Sequence, residues 1–122
     1  DIVNSDPTLH NVHAMPKVNT EFNLAMPMVD MTVRKHFKKA EAAFAIRCDV
    51  HPWMTAWCTV FDHPYFAVTD AKGIATMSTQ GLEDGSYTVE LWHPVLGTGT
   101  TEVLVVDGRG AEPFEFAESP ER

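Results

Sequence analysis

Positive charge is what this chain has least of. Nine Lys and Arg stand against seventeen Asp and Glu, a net charge of −8 at pH 7. Holding a phosphate backbone needs a basic face, so this balance argues against nucleic acid as a partner. The one basic cluster, Arg34-Lys35-His36-Phe37-Lys38-Lys39, is short and reads as a solvated strand end or loop rather than a docking patch. Long apolar runs are missing too. None approaches the roughly 20 residues of a membrane span, and no signal peptide is visible. The opening Asp1-Ile2-Val3 reads like mid-strand sequence and suggests a processed or trimmed N-terminus. Hydrolytic motifs are absent: there is no G-x-S-x-G, no phosphate loop and no H-E-x-x-H, so no enzyme is expected. Cysteine is scarce. Cys48 and Cys58 can form one disulfide, or serve as one metal thiolate and one buried thiol.

What is present is globular in character. At 122 residues, 44% hydrophobic and 21% charged, the chain is one domain or two very small ones sharing a core. Helical periodicity is weak, and short strands alternate with turn signals. The pattern predicts strands at Leu9–Ala14, Met31–Phe37, Phe44–Cys48, Ala56–Asp62, Tyr65–Thr69, Ile74–Met77, Ser86–Trp92 and Thr101–Val106. Tyr87, Val89 and Leu91 fall on one face of their strand, with Thr88, Glu90 and Trp92 on the other. Val103–Val106 is a continuous apolar run suited to a buried strand, and Lys38–Phe44 is the one passable helical turn. Thr69–Gly73 and Glu83–Gly85 carry turn chemistry. The acidic tail, residues 111–122, is expected to fray. These features together indicate an all-β protein, an antiparallel β-sandwich.

The stretch Cys48-Asp-Val-His51-Pro-Trp-Met54 places a thiol, an imidazole and a thioether within seven residues. Soft sulfur ligands favour copper, and one Cys with two His in a plane, plus a weak axial Met, makes a blue-copper site. The loop supplies three of those four ligands. The other imidazole must come from another strand, and His10 in Asn4–His13 is the candidate. Taken alone, the same residues also read as a buried Cys48, a His51-Pro52 turn and a strand start at Met54.

The segments PTLHNVHAM and CDVHPWMTAWCTVFD resemble the two ligand segments of the cupredoxin family, with an amicyanin-like loop. The resemblance covers roughly residues 1–62 and implies a type 1 copper site. It makes His10 the first imidazole, Cys48 the thiolate, His51 the second imidazole near the surface, and Met54 the long axial ligand. Asn11 resembles the family's loop-bracing Asn, whose backbone N–H donates toward the cysteine sulfur. Residues 63–110 resemble a transthyretin-like or carboxypeptidase-regulatory-like β-module, which implies scaffold and no catalysis. The combined order looks like bacterial exported proteins in which a cupredoxin runs into such a module. Cupredoxins usually have several strands before the first copper His, whereas nine residues precede His10 here. Leu9, Val12, Phe44 and Ile46 are then expected to show apolar surface, to be covered by the second module, a lost segment or another copy of the chain. A homo-oligomer is the expected answer.

The remaining signals are weaker. Strand alternation puts Ala56, Cys58 and Val60 on one face, so Cys58 reads as a buried thiol. His13 lies opposite His10 on its strand and reads as structural or exposed, and His36 as solvated. His63 and His93 each precede Pro and read as turns, or as a second site if their strands meet. Met26, Met28 and Met31, with Met15, read as core filling or as a Cu(I)-holding thioether set. The functional expectation is a one-electron carrier with type 1 copper in a bacterial periplasm, serving a redox protein such as a c-type cytochrome. A copper carrier or sequestration protein and a metal-free structural module are the alternatives.

Overall fold

The computed structural model describes residues 1–116. They form eight strands: β1 (Ile2–Val3), β2 (His10–Ala14), β3 (Phe22–Met26), β4 (Thr32–Val33), β5 (Glu41–Arg47), β6 (Thr55–Val60), β7 (Gly85–His93) and β8 (Gly97–Val105). Every pairing is antiparallel, so the chain is all-β as its composition of short strands implies. The chain divides into two compact units, Asp1–Pro64 and Tyr65–Arg122.

The first unit holds a four-stranded sheet in the order β3-β2-β5-β6 and a small β1-β4 pair. Its core is Ala14, Met26, Phe44, Ala45 and Cys48. Phe22, Phe37 and Phe44 stack in sequence beside it, with ring centroids 5.9 and 5.2 Å apart. Phe44 is therefore buried, against the expectation that it shows apolar surface, while Leu9 is exposed as anticipated. Buried Asn4 ties the small pair to the large sheet. Its amide donates to the carbonyls of Thr8 (2.9 Å) and Met26 (2.8 Å), and its backbone N–H donates to Met31 (3.0 Å).

Local reading and structure part company at three places in this unit. Lys38–Phe44 is not a helical turn, because β5 begins at Glu41. The Glu41 carboxylate accepts from the backbone N–H groups of Lys17, Val18 and Asn19 and from the Asn19 amide. Tertiary bonding of that kind overrides a weak helix preference. A register shift between Glu41 and Phe44 then lets the adjacent Phe44 and Ala45 both be buried. Of Met31–Phe37 only Thr32–Val33 is strand, since Phe37 turns away to fill the aromatic stack. Strand β3 was not anticipated, although Phe22, Leu24 and Met26 alternate inward along it. Met26 is core, whereas Met28 is exposed, so the methionines do not share one environment.

The second unit is a hairpin, β7 against β8, with Tyr87 opposite Val103 and Leu91 opposite Gly99. Inward and outward residues alternate along β7 as its sequence indicates. The same alternation carries Leu104 outward, at 65% exposed, so Val103–Val106 is not a wholly buried run. Tyr65–Thr69 and Ile74–Met77 are not strands. They flank a turn in which the Asp70 carboxylate accepts from Lys72 and Ile74 N–H, and Gly73 takes φ +79°. An alternating segment becomes strand only when a neighbour completes its ladder, and neither of these two belongs to any of the three sheets. Of the tail, residues 111–116 form no strand; Phe114 lies over Gly99, where any Cβ would collide with its ring, and meets Phe116 edge to face at 5.0 Å. Residues 117–122 lie outside the described residues.

Candidate metal centre

Strand β2 and the β5-β6 loop build the site. His10 opens β2, Cys48 directly follows β5, and His51 sits in the loop before β6. That loop is a tight, self-bonded turn: Met54 N–H donates to the His51 carbonyl (2.9 Å) and Cys48 N–H to the Met54 carbonyl (3.2 Å). Closing the turn points the thiol of buried Cys48 and the half-buried His51 ring back toward β2.

The result is a triangle of donor atoms. Cys48 Sγ lies 3.7 Å from His10 Nδ1 and 3.6 Å from His51 Nδ1, and the two nitrogens are 3.1 Å apart. A point equidistant from three atoms so spaced lies about 2.0 Å from each, the circumradius of that triangle. That is within the range of metal–nitrogen and metal–thiolate bonds, about 2.0–2.3 Å. The group can hold a metal ion, and it is the one such cluster of three or more His, Cys, Asp and Glu side chains among the described residues. Met54, 41% exposed, lines the same cleft of about 380 Å3 as His10 and Cys48.

The environment of the Cys48 thiol favours its anion. Burial alone pushes its pKa up, but the Asn11 backbone N–H, the His10 ring, and the His51 backbone and ring all favour the thiolate. Together they bring it down to about 6, so the sulfur is anionic at neutral pH. The thiolate beside His10 in turn raises that imidazole's pKa, helped by Asp6.

A polar clamp holds the β5-β6 loop on the sheet. Asn11 Oδ1 accepts from Asp49 N–H (2.6 Å) and Val50 N–H (3.3 Å). Its Nδ2 donates to Asn23 Oδ1 (2.7 Å) and Asp49 Oδ2 (2.9 Å). Asn23 Nδ2 also donates to Asp49 (2.9 Å), whose carboxyl is held below its usual range by Asn23, Asn11 and His13. His13 faces Glu21 from Nε2 (2.8 Å) and Asp49 from Nδ1 (3.2 Å). A neutral imidazole has one N–H, so two carboxylate acceptors require the imidazolium, and the His13 pKa is raised accordingly.

The structure thus brings His10, Cys48 and His51 together, and Met54 borders the same cleft. His13 lies on the other side of β2 and is structural, joining Glu21 to Asp49. Both cysteines are free, and Cys58 is half-buried, with its pKa raised by burial and the nearby Glu41. His36 is exposed. His63 stacks near Phe61 in the first unit, whereas His93 Nδ1 accepts from Val95 and Leu96 N–H in the hairpin turn of the second. Sequence reasoning missed Asp6, Asn23 and Asp49. Asp49 alone had a signal, its place beside Cys48. Compared with protein-family models, curated proteins and solved structures, the chain matches none.

Proposed function

We propose that this protein binds one copper ion at His10, Cys48 and His51, with Met54 as a weak fourth ligand, and carries single electrons. The observation that carries the reading is the donor triangle: two imidazole nitrogens and one thiolate whose spacing suits a three-coordinate ion. Structural zinc takes four Cys, His or carboxylate ligands, whereas one thiolate, two imidazoles and a thioether form the copper set of electron-transfer proteins. Copper bound there supplies the one-electron Cu(II)/Cu(I) couple.

The chain's own residues do the rest. The Asn11–Asp49 clamp and the self-bonded loop hold the three donors in place, so little rearrangement accompanies a change in charge at the centre. His51, half-buried in the loop before β6, serves as the electron port. Its ring lies 5.3 Å from that of Trp53, which is 79% exposed and, with Pro52, offers a small apolar collar for transient docking. The net charge of −8 steers a basic redox protein, such as a c-type cytochrome, toward the chain. A bacterial periplasm is the compartment that fits this role, and the cupredoxin resemblance of the ligand segments supports it.

The exposure of Met54 beside an open cleft favours one rival, a copper carrier using the same ligands. Voltammetry with a metal-transfer assay separates the two. Reversible one-electron cycling with fast self-exchange is the expected result; rapid loss of copper to a chelating acceptor, with no reversible couple, selects the carrier.

A further inference from the structure

The two imidazoles of the triangle are not equivalent. Behind His10, on the nitrogen that faces away from the triangle, stands a carboxylate: Asp6 Oδ2 lies 2.9 Å from His10 Nε2. The backbone that carries Asp6 is anchored. Its backbone N–H donates to Asn4 Oδ1 (2.9 Å), and Asn4 is itself buried and bonded to the carbonyls of Thr8 and Met26. The 4–8 segment is thereby fastened to the end of β3, with its carboxylate delivered to the rear of the ligand ring. The ring is 12% exposed and the carboxylate 55%, so one end of the contact is dry and the other wet.

Resting on the copper reading above, we infer that Asp6 is a positioning residue of the metal centre, which fixes the His10 tautomer and lowers the reduction potential. A carboxylate accepts and does not donate, so the shared proton sits on His10 Nε2. The Nδ1 lone pair is then the one left to face the metal, at the corner of the triangle where Nδ1 is found. A hydrogen-bonded anion on the far nitrogen also makes the imidazole a stronger donor. Its negative charge favours the more highly charged Cu(II) over Cu(I), which moves the couple downward. His51, whose ring packs on Trp53, contributes the surface-facing side of the centre, so the tuning acts through the inner ligand.

The test compares the wild-type chain with Asp6→Asn, Asp6→Ala and Asp6→Glu. Asp6→Asn keeps an acceptor oxygen but removes the charge. It is expected to bind one Cu(II) with an unchanged thiolate band while its potential rises; a tenfold change in Cu(II)/Cu(I) preference corresponds to about 59 mV for one electron. Asp6→Ala is expected to raise the potential as well and to weaken Cu(II) binding about 10–100-fold. Asp6→Glu restores part of both. In the diamagnetic Zn(II)-loaded form, the His10 Nε2 proton is expected as a protected resonance in wild type and Asp6→Asn, and lost to exchange in Asp6→Ala. Circular dichroism of each variant establishes that it is folded. Potentials and Nε2–H protection equal to wild type in both Asp6→Asn and Asp6→Ala overturn the inference. Wild-type protein that binds Cu(II) without a thiolate band instead overturns the copper reading, and the Zn(II) resonance then decides the positioning role on its own.

Discussion

Replacing Asn11 with Ala removes the centre of the clamp without touching any ligand side chain. Four hydrogen bonds go: two accepted from Asp49 and Val50 N–H, and two donated to Asn23 and Asp49. The 3.3 Å bond to Val50 is the weakest, which leaves three well-formed ones. At a net 0.5–1.5 kcal/mol each, and toward the low end for a site in contact with solvent, the loss is about 2–3 kcal/mol. For a unit as small as Asp1–Pro64 this lowers Tm by about 10–20 °C, since about 1 kcal/mol moves a domain of that size by 4–8 °C. Thermal unfolding followed by far-ultraviolet circular dichroism measures it. The companion variant Asn11→Asp sharpens the argument. It keeps the acceptor for Asp49 and Val50 but sets a carboxylate against Asp49 Oδ2, where an amide donor stood at 2.9 Å. It should therefore be destabilised at neutral pH and recover as the pH falls and the pair shares a proton. An Asn11→Ala protein with the wild-type Tm, or an Asn11→Asp protein insensitive to pH, would refute the clamp.

The other expectations concern the ligand rim, the acid limit and the free thiols. Met54→Gln should keep copper bound while lowering the reduction potential and shifting the visible spectrum, because a weak axial ligand tunes more than it anchors; complete metal loss from a folded variant contradicts the axial role. Glu41 keeps a carboxyl pKa of about 2 against an ordinary 4.5; burial opposes ionisation, but the Asn19 amide and the N–H groups of Asn19, Val18 and Lys17 outweigh it. A depressed pKa means that this contribution to stability is complete above about pH 4.5 and is lost as the pH falls toward 2. Glu41→Gln should flatten the fall of Tm across that window, and a slope identical to wild type would refute the assignment. Alkylation without denaturant should favour Cys48 over Cys58 at pH 7, since reactivity follows the thiolate, and metal should protect Cys48. Because Cys48 is the more buried thiol, the pH profile of its labelling is the deciding readout. A Cys48 rate that rises only at the pH where Cys58 reacts would contradict the electrostatics of the site.

The site was more legible than the scaffold around it, for physical reasons. His51 and Cys48 belong to one short loop, where spacing limits what the side chains can reach. His10 needed only a strand that returns beside β5. The orienting residues left no such trace. Asp6 meets His10 because buried Asn4 pins a loop, and Glu41 is held by amides from a loop more than twenty positions earlier. Periodicity was informative where a partner strand exists, as along β7, and misleading where none completes the ladder, as at Tyr65–Thr69 and Ile74–Met77. β3 left a weaker trace, because Phe22, Leu24 and Met26 share the inward face of a strand only five residues long.

The most direct measurement is a Cu(II) titration followed by visible absorption, run in parallel on wild type, Cys48→Ser and Cys58→Ser. A thiolate bound to Cu(II) gives an intense charge-transfer band, so the wild-type chain and Cys58→Ser should develop one that saturates at one copper per chain. Cys48→Ser should stay colourless while remaining folded by circular dichroism. A band that survives in Cys48→Ser, or Cu(II) bound by wild type with no such band, would contradict the central claim.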